Sequence, residues 1–545
     1  MASTPPQIAD VPLATESDRP FSTASGFPLP VAAGDEHVAH GLAERLGQPG
    51  SPPFTRGIHP SMYRTRPWTI RQLAGFGSAT DTNERYRLLL EQGATGINGV
   101  FDYPSLRAFG SDDEQAASDV GRGGVAVDVR DDFLDLFADI PLAETSVSLV
   151  SSQPIGAVPH LAMFLWAARQ RGFRAEQLTG TSQNDFLMET AITIAPKALP
   201  PAASFRLECD VVEFTAREMP GWNPISVTGY NYREAGSDAP LELALTLAHG
   251  QAVAREMIDR GLDPRTILPR LSFFLCAHND LFEEVAKFRA ARRMWSRWVR
   301  DVLGVDDERS QRFRFHVQTS GATNVARFAH VNIARGALQG LAAVLGGTQS
   351  LHINGYDEAV SIPTEHAALT ALRTQYVLLH ESGVAGSADP LGGSYLVEHL
   401  TDAMETRVAA MIREIDELGG IVAATESGWV HREISTLAFA HERSISDGER
   451  KVVGINVQAD GDDAPPELFE LPTDTVNRQR ERIAATRDRR DAGKVKEALA
   501  RLGADCGQGR NVMPASLAAV DADVTLGEFG DTFREVLGQW QFPLW

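Results

Sequence analysis

Short runs in which apolar and polar residues alternate take turns, along the middle of the chain, with longer runs whose apolar residues recur at helical spacing. Strands are expected at residues 96–101, 146–150, 177–181, 204–209, 225–228, 270–274, 313–317 and 350–353. Helices are expected between them, the longest at 161–171, 241–259, 281–302 and 325–344. Eight strands with intervening helices predict an α/β protein built as a closed (β/α)8 barrel.

The flanks have other textures. Residues 1–55 are rich in Ser, Pro, Gly and Ala, with a short helix at 37–46, and are read as an N-terminal arm. The barrel is expected over 56–400, with a first helix at 80–92 capped by Thr80 or Asp81. Residues 401–545 are expected to form a helical C-terminal extension: helices at 364–381 and 401–418 straddle its start, an acidic, proline-bearing linker covers 460–471, and helices follow at 475–502 and 515–537. The terminal QWQFPLW is aromatic enough to require a packing partner.

Polar clusters fall at the ends of the strand candidates: Gln183-Asn184-Asp185, Tyr230-Asn231, His278-Asn279-Asp280, His316-Val317-Gln318 and Asn354 through Glu358. In a parallel barrel such ends share one rim, so these clusters are expected to converge on one mouth. Lys+Arg of 51 against Asp+Glu of 72 gives a net charge of −21, which argues against nucleic acid or an anionic membrane as a partner. Cys209, Cys276 and Cys506 form no paired motif, no long apolar run occurs, and a reducing cytoplasm is expected. Phosphate-loop, HExxH and GxSxG motifs are absent, and no His or Cys spacing suggests a metal site.

Several residues keep two readings. His316 is either a structural histidine or, with Glu358 at the rim, a functional one. Tyr230 and Asn231 either wall a pocket and donate to a carbonyl or cap a loop. Arg270 and Ser272, two apart on one strand face, either serve a phosphate or carbonyl or take part in an interior ion pair.

The segments RPWTIRQLAGF (66–76), QND (183–185), TGYNYREAG (228–236), PRLSFF (269–274), FHVQTSG (315–321), SLHINGYDEA (350–359) and DPLGGSY (389–395) resemble, in the same order, the substrate-binding part of the coenzyme B12-dependent acyl-CoA mutases, the methylmalonyl-CoA mutase family. The resemblance implies a barrel with an arm and a helical extension. It also implies a radical 1,2-migration of the CoA thioester for which adenosylcobalamin supplies the radical. It further implies that Gln183, Tyr230, Asn231 and His316 serve the chemistry; that His59, Thr69, Arg71, Leu73, Val100, Thr193, Arg270 and Ser272 bind the acyl-CoA; and that Phe101, Glu234, Gln318, Asn354 and Glu358 face the cobalamin.

Departures from the family pattern narrow the substrate. Members acting on methylmalonyl-CoA carry a tyrosine where this chain has Leu73 and an arginine where it has Thr193; those acting on 2-hydroxyisobutyryl-CoA carry an aspartate where it has Val100; most carry a histidine where it has Asn231. A short branched acyl-CoA without a free carboxylate, isobutyryl-CoA or pivalyl-CoA, is expected, with 2-hydroxyisobutyryl-CoA as the alternative and a non-catalytic acyl-CoA-binding barrel as a third reading. The family's DxHxxG loop does not occur, so cobalt is expected to be ligated by a separate small cobalamin-binding subunit. An α2β2 assembly built on a homodimer of large subunits, and a G-protein chaperone, complete the partners the resemblance implies.

Overall fold

The computed structural model describes residues 21–193, 195–461 and 466–543; the first part of the expected arm and the middle of the expected linker lie outside the described residues. Nine strands, β1 (Thr69–Ala74), β2 (Gly96–Val100), β3 (Ser146–Val150), β4 (Gly180–Gln183), β5 (Trp222–Asn223), β6 (Ser226–Thr228), β7 (Ser272–Ala277), β8 (Phe315–Thr319) and β9 (Ser350–His352), form a single sheet. It has the order β5-β4-β3-β2-β1-β9-β8-β7-β6, and every pair is parallel.

β5 and β6 share one stave of the barrel. β5 pairs with β4 through Gly180↔Trp222 and Thr181↔Asn223, whereas β6 pairs with β7. Pro224 lies between them, and a residue without an N–H cannot continue a ladder. The result is a nearly closed eight-stave barrel, ringed by helices that include Pro154–Gln170, Pro201–Glu218, Ala239–Asp259, Leu281–Arg297 and Asn332–Leu345. Helices Tyr395–Glu417, Trp429–Ser446, Thr475–Arg489, Ala492–Gly507, Met513–Asp521 and Leu526–Leu537 make up the helical C-terminal region. No described helix is long and apolar enough to cross a membrane.

Burial alternates along the strands in an unusual sense. In β1, Ile70, Gln72 and Ala74 are buried under helices, while Thr69, Arg71 and Leu73 are only half-buried because they face a hollow lumen. Ser146 and Ser148 of β3 do the same. Barrels of this class usually fill the interior with branched apolar side chains. Here small hydroxyl residues leave it open.

Several expected elements are corrected. Residues 204–209 belong to the helix Pro201–Glu218: Phe205, Leu207 and Cys209 alternate, but Ser204, Leu207, Glu208, Val211, Val212 and Thr215, which are buried along with Pro201, Cys209 and Asp210, recur at helical spacing. β1 and β5 were not anticipated, nor was Trp429–Ser446. The first barrel helix is capped by Ser78, with Asp81 accepting from the Ser78 amide at 2.8 Å, so Asp81 is the third helical residue and not the cap. The expected helix at 475–502 is broken at Arg490, whose ψ of 158° is extended. At the C-terminal end the Trp540 amide donates to Ala198 O at 2.8 Å and Phe542 packs edge-on against His431 at 5.0 Å.

Candidate active site

The lumen forms a cavity of about 830 Å³ that runs in from the N-terminal end of the strands. Its outer part is lined by hydroxyls, Thr69, Ser146, Ser226, Ser272 and Ser350, and its inner part by Arg71, Asn98, Gln183, Phe274 and His316. Leu73 and Val100 stand two residues beyond Arg71 and Asn98 on the same strand faces, which carries the lining toward the C-terminal rim. The cavity therefore enters from the opposite end to the rim at which the polar clusters were expected to meet.

Arginines crowd its entrance. Arg66, Arg309, Arg314 and Arg270 line it, with Glu144 as the one carboxylate. Arg66 and Arg309 form no ion pair with other described residues. Burial, then Arg309, Arg312 and Arg66, lower the pKa of Arg314, and burial with Arg312, Arg314 and Arg66 lowers that of the exposed His59. Such unneutralised cations suit a polyanion. Arg270 is already engaged: its guanidinium donates to the carbonyls of Thr215, Ala216, Met219 and Trp222, four groups at and just beyond the end of Pro201–Glu218. Ser272 Oγ donates to Ile225 O at 2.7 Å, bridging the interrupted stave.

Farther in, polar groups stand uncommitted. The Gln183 carboxamide, 4% exposed, makes no hydrogen bond to any described residue, and His316 Nε2 is buried without a partner. His316 is the second residue of β8, not a residue past its end, so its ring lies inside the lumen. Its Nδ1 is 2.7 Å from Ser350 Oγ, and burial, aided by Arg71 and His352, lowers its pKa far enough to keep the ring neutral. Arg71 donates to Ile97 O at 3.2 Å and Ser146 Oγ at 2.6 Å, has no carboxylate partner, and is lowered by burial to about 10. The Leu73 amide donates to His352 Nδ1 at 3.0 Å.

The inner end is closed by an aromatic lid. Tyr230 stacks on Phe274 at 4.9 Å with planes 9° apart, and Phe274 in turn meets His316 at 5.0 Å. Gln318 Nε2 donates to Tyr230 Oη and to Asn354 Oδ1, both at 2.9 Å. Beyond them Glu234 accepts from Ser320 Oγ at 2.6 Å and from the Ala322 amide at 2.8 Å. Gly321 holds this group together: a Cβ there would lie 3.1 Å from Glu234 Oε2, 3.3 Å from Asn354 Nδ2 and 3.3 Å from Glu358 Cγ. Burial, then Glu234 and Asp357, raise Glu358 to about 8.

The remaining positions divide. Asn231, half-buried at the start of the helix Tyr230–Glu234, makes no side-chain hydrogen bond to a described residue. Thr193, half-buried, ends the π-helical turn Met188–Thr193, with its Oγ1 3.4 Å from Met188 O. Phe101 is core: one residue past inward-facing Val100, its ring stacks on His160 at 4.1 Å and is 1% exposed. His278, Asn279 and Asp280 do not join the lumen. They line a separate cavity of about 910 Å³ with Ser22–Ala24 and residues 441–456, because Asp280 is taken up by the Ala24 amide at 2.9 Å and the start of Leu281–Arg297. Asn184 and Asp185 are fully buried; their partners Glu208 and His249 carried no signal beyond a polar residue within a mostly apolar helix.

The methylmalonyl-CoA mutase family model matches residues 22–539. The chain is 39% identical to the 2-hydroxyisobutanoyl-CoA mutase large subunit of Aquincola tertiaricarbonis, over 97% of this chain and 94% of that one. It is 38% identical to the methylmalonyl-CoA mutase of Rhizobium meliloti (92% and 70%) and 38% identical to the human mitochondrial methylmalonyl-CoA mutase, of whose length it spans 66%. With its hollow barrel and its uncommitted donors, the chain belongs to the methylmalonyl-CoA mutase family and is an acyl-CoA mutase, an isomerase of the intramolecular-transferase class.

Proposed function

We propose that this chain is the large subunit of an adenosylcobalamin-dependent mutase that moves the CoA thioester between adjacent carbons of a short branched acyl group lacking a free carboxylate, of the isobutyryl or pivalyl kind. The observation that carries this reading is the lumen itself, cationic at its entrance and furnished with free neutral donors at its inner end. The phosphates of CoA meet Arg66, Arg309 and Arg314, and the pantetheine arm passes the hydroxyl-lined wall. The thioester oxygen is met by the Gln183 carboxamide and by His316. Ser350 Oγ, 2.7 Å from Nδ1, orients the ring, and in the tautomer that carries its proton on Nε2 the neutral imidazole donates to the thioester oxygen without titrating. Asn231 adds a third neutral donor.

The residues beyond the lid fit a corrin. The polar side chains of Glu234, Asn354 and Glu358 surround a surface that Gly321 leaves without a side chain, which suits a flat group edged with amides. When bound, adenosylcobalamin supplies the radical that begins the rearrangement. Tyr230 and Phe274 separate that face from water in the lumen. A small subunit brings the cobalamin, a reading supported by the words "large subunit" in the name of the Aquincola relative.

Leu73, Val100 and Thr193 offer a substrate carboxylate no counter-ion, which leaves Arg71, already donating to Ile97 O and Ser146 Oγ, as the one cation of the inner lining. The alternative, a 2-hydroxyacyl substrate, is favoured by that same relative's name and by the hydroxyl of Thr193 and the amide of Asn231. Comparing kcat/KM of the complex reconstituted with its small subunit on isobutyryl-, pivalyl-, 2-hydroxyisobutyryl- and methylmalonyl-CoA tests the reading. Preference for methylmalonyl-CoA by about tenfold or more, some 1.4 kcal/mol, would overturn it.

A further inference from the structure

The barrel wall has a seam. β4 pairs with β5 only as far as Thr181↔Asn223, and β6 pairs with β7, so no backbone ladder joins the end of β4 to the end of β6. Gln183 and the Tyr230–Asn231 turn stand on either side of that gap. What closes it is the Asp185 carboxylate: its Oδ1 accepts from the Leu187 amide at 2.7 Å, and its Oδ2 accepts from the Thr228 amide at 3.1 Å and from Tyr232 Oη at 3.3 Å. Behind it lies His249 of Ala239–Asp259, with Nδ1 3.1 Å from Asp185 Oδ2 and Nε2 2.7 Å from Glu208 Oε1. The first contact is an ion-pair contact. Glu208 Oε2 accepts from the Phe186 amide at 2.9 Å, and all of these side chains are fully buried.

We infer that His249 is a positioning residue, which by bridging Asp185 and Glu208 fixes the distance between Gln183 and the Tyr230–Asn231 turn and so aligns the donors for the thioester oxygen. The inference rests on the acyl-CoA reading proposed above. Burial alone would strip the ring of its proton, but Glu208 and Asp185 on either side raise its pKa above the ordinary histidine value. Burial raises Glu208 to about 7 as well, so the ring and Glu208 share a proton across their 2.7 Å contact, beside Asp185. Packing edge-on against Phe186 at 5.0 Å holds its plane.

The test is binding, independent of turnover. Calorimetric titration of the full chain with isobutyryl-CoA and with isobutyl-CoA, a thioether lacking the carbonyl oxygen, isolates the contacts made to that oxygen. Wild type is expected to prefer the thioester by about tenfold, the size of one or two net hydrogen bonds. His249→Gln alone leaves two buried carboxylates without their partner, so it is combined with Glu208→Gln. The double variant is expected to hold the thioether within about twofold of wild type while its preference for the thioester shrinks to about twofold. Tyr232→Phe, which preserves shape and removes one Asp185 contact, is expected to lower the preference by about twofold to threefold and serves if the double variant does not fold. Retention of the full preference in the variants, or an equal loss of both affinities, would overturn the positioning role while leaving the acyl-CoA reading intact. Failure of wild type to bind either CoA compound would overturn that reading, and the inference with it.

Discussion

The two ends of the barrel lumen are furnished with different ionisable groups, arginines at one and glutamates at the other. At the entrance, Arg66, Arg309 and Arg314 stand with a single acid, Glu144. Beyond the Tyr230–Phe274 lid, Glu234 and Glu358 stand half-buried beside Gly321, and both are raised from the usual glutamate value. Between these ends the charges are few: Arg71 has no carboxylate partner, and Gln183, Asn98 and a neutral His316 complete the inner lining. One end suits a polyanion and the other a neutral, amide-bearing group. The middle suits a polar but uncharged bond that must be held without proton transfer.

The sharpest test of this division lies in the middle. His316→Ala removes a buried donor aimed at the thioester oxygen, and kcat is expected to fall by about 100-fold, as for the loss of one preorganised donor elsewhere. KM should change little, since the entrance holds most of the ligand. A fall of less than about fivefold would show that the thioester does not reach this ring. At the entrance, the double change Arg66→Ala with Arg314→Ala should lower kcat/KM for acyl-CoA by about 30-fold, the equivalent of about 2 kcal/mol in charge-assisted contacts. The loss should shrink as salt is raised and vanish for an acyl-pantetheine without phosphates. An equal loss on both substrates would erase the contrast between the two ends.

Much of this arrangement was legible in the sequence, and the parts that were not share a cause. β2 and β3 were anticipated closely because their outward positions are apolar and their flanks are turns. β1 was not, because TIRQLA carries Thr69 and Arg71 toward a hollow lumen and Gln72 toward the helices, so neither face is uniformly apolar. Residues 204–209 mimic a strand only because a six-residue window is too short to tell period two from 3.6. Within the site, strand-end polar residues such as Gln183 stand out against their surroundings. His249 and Glu208 do not, since a pair 41 positions apart acquires meaning only once two helices pack together. Access from the N-terminal end could not be read at all, because the width of a lumen depends on all its staves at once.

Asn231 sharpens the comparison where the middle meets the far end. The side chain has no partner among the described residues, and Leu73 and Thr193 are smaller than the tyrosine and arginine expected at their positions from the family resemblance. If the smaller amide makes room for a bulkier acyl group, Asn231→His should lower kcat/KM for pivalyl-CoA by about tenfold and leave isobutyryl-CoA within about twofold, a difference of one or two methyl-sized contacts. Equal or improved turnover of both would mean that Asn231 does not set the size of the pocket.

The smallest expected effect concerns the far end and is one of stability. Burial, then the charges of Glu234 and Asp357, raise Glu358 from 4.5 to about 8. A carboxyl raised on folding binds its proton more tightly in the folded chain than in the unfolded one. Its contribution is therefore neutral below about pH 4.5, becomes progressively unfavourable as pH rises toward 8, and is constant above that. Glu358→Gln has no proton to lose. Its Tm should match wild type near pH 4.5 and exceed it by about 1–2 °C at pH 8, a modest shift because a large chain spreads one site's free energy over a large unfolding entropy. Scanning calorimetry of the full chain at several pH values reads this directly. A Tm difference that does not vary with pH would mean that Glu358 keeps its ordinary contact with water. The far end of the barrel would then be as open to solvent as the entrance, and its fit to a buried, uncharged face would be lost.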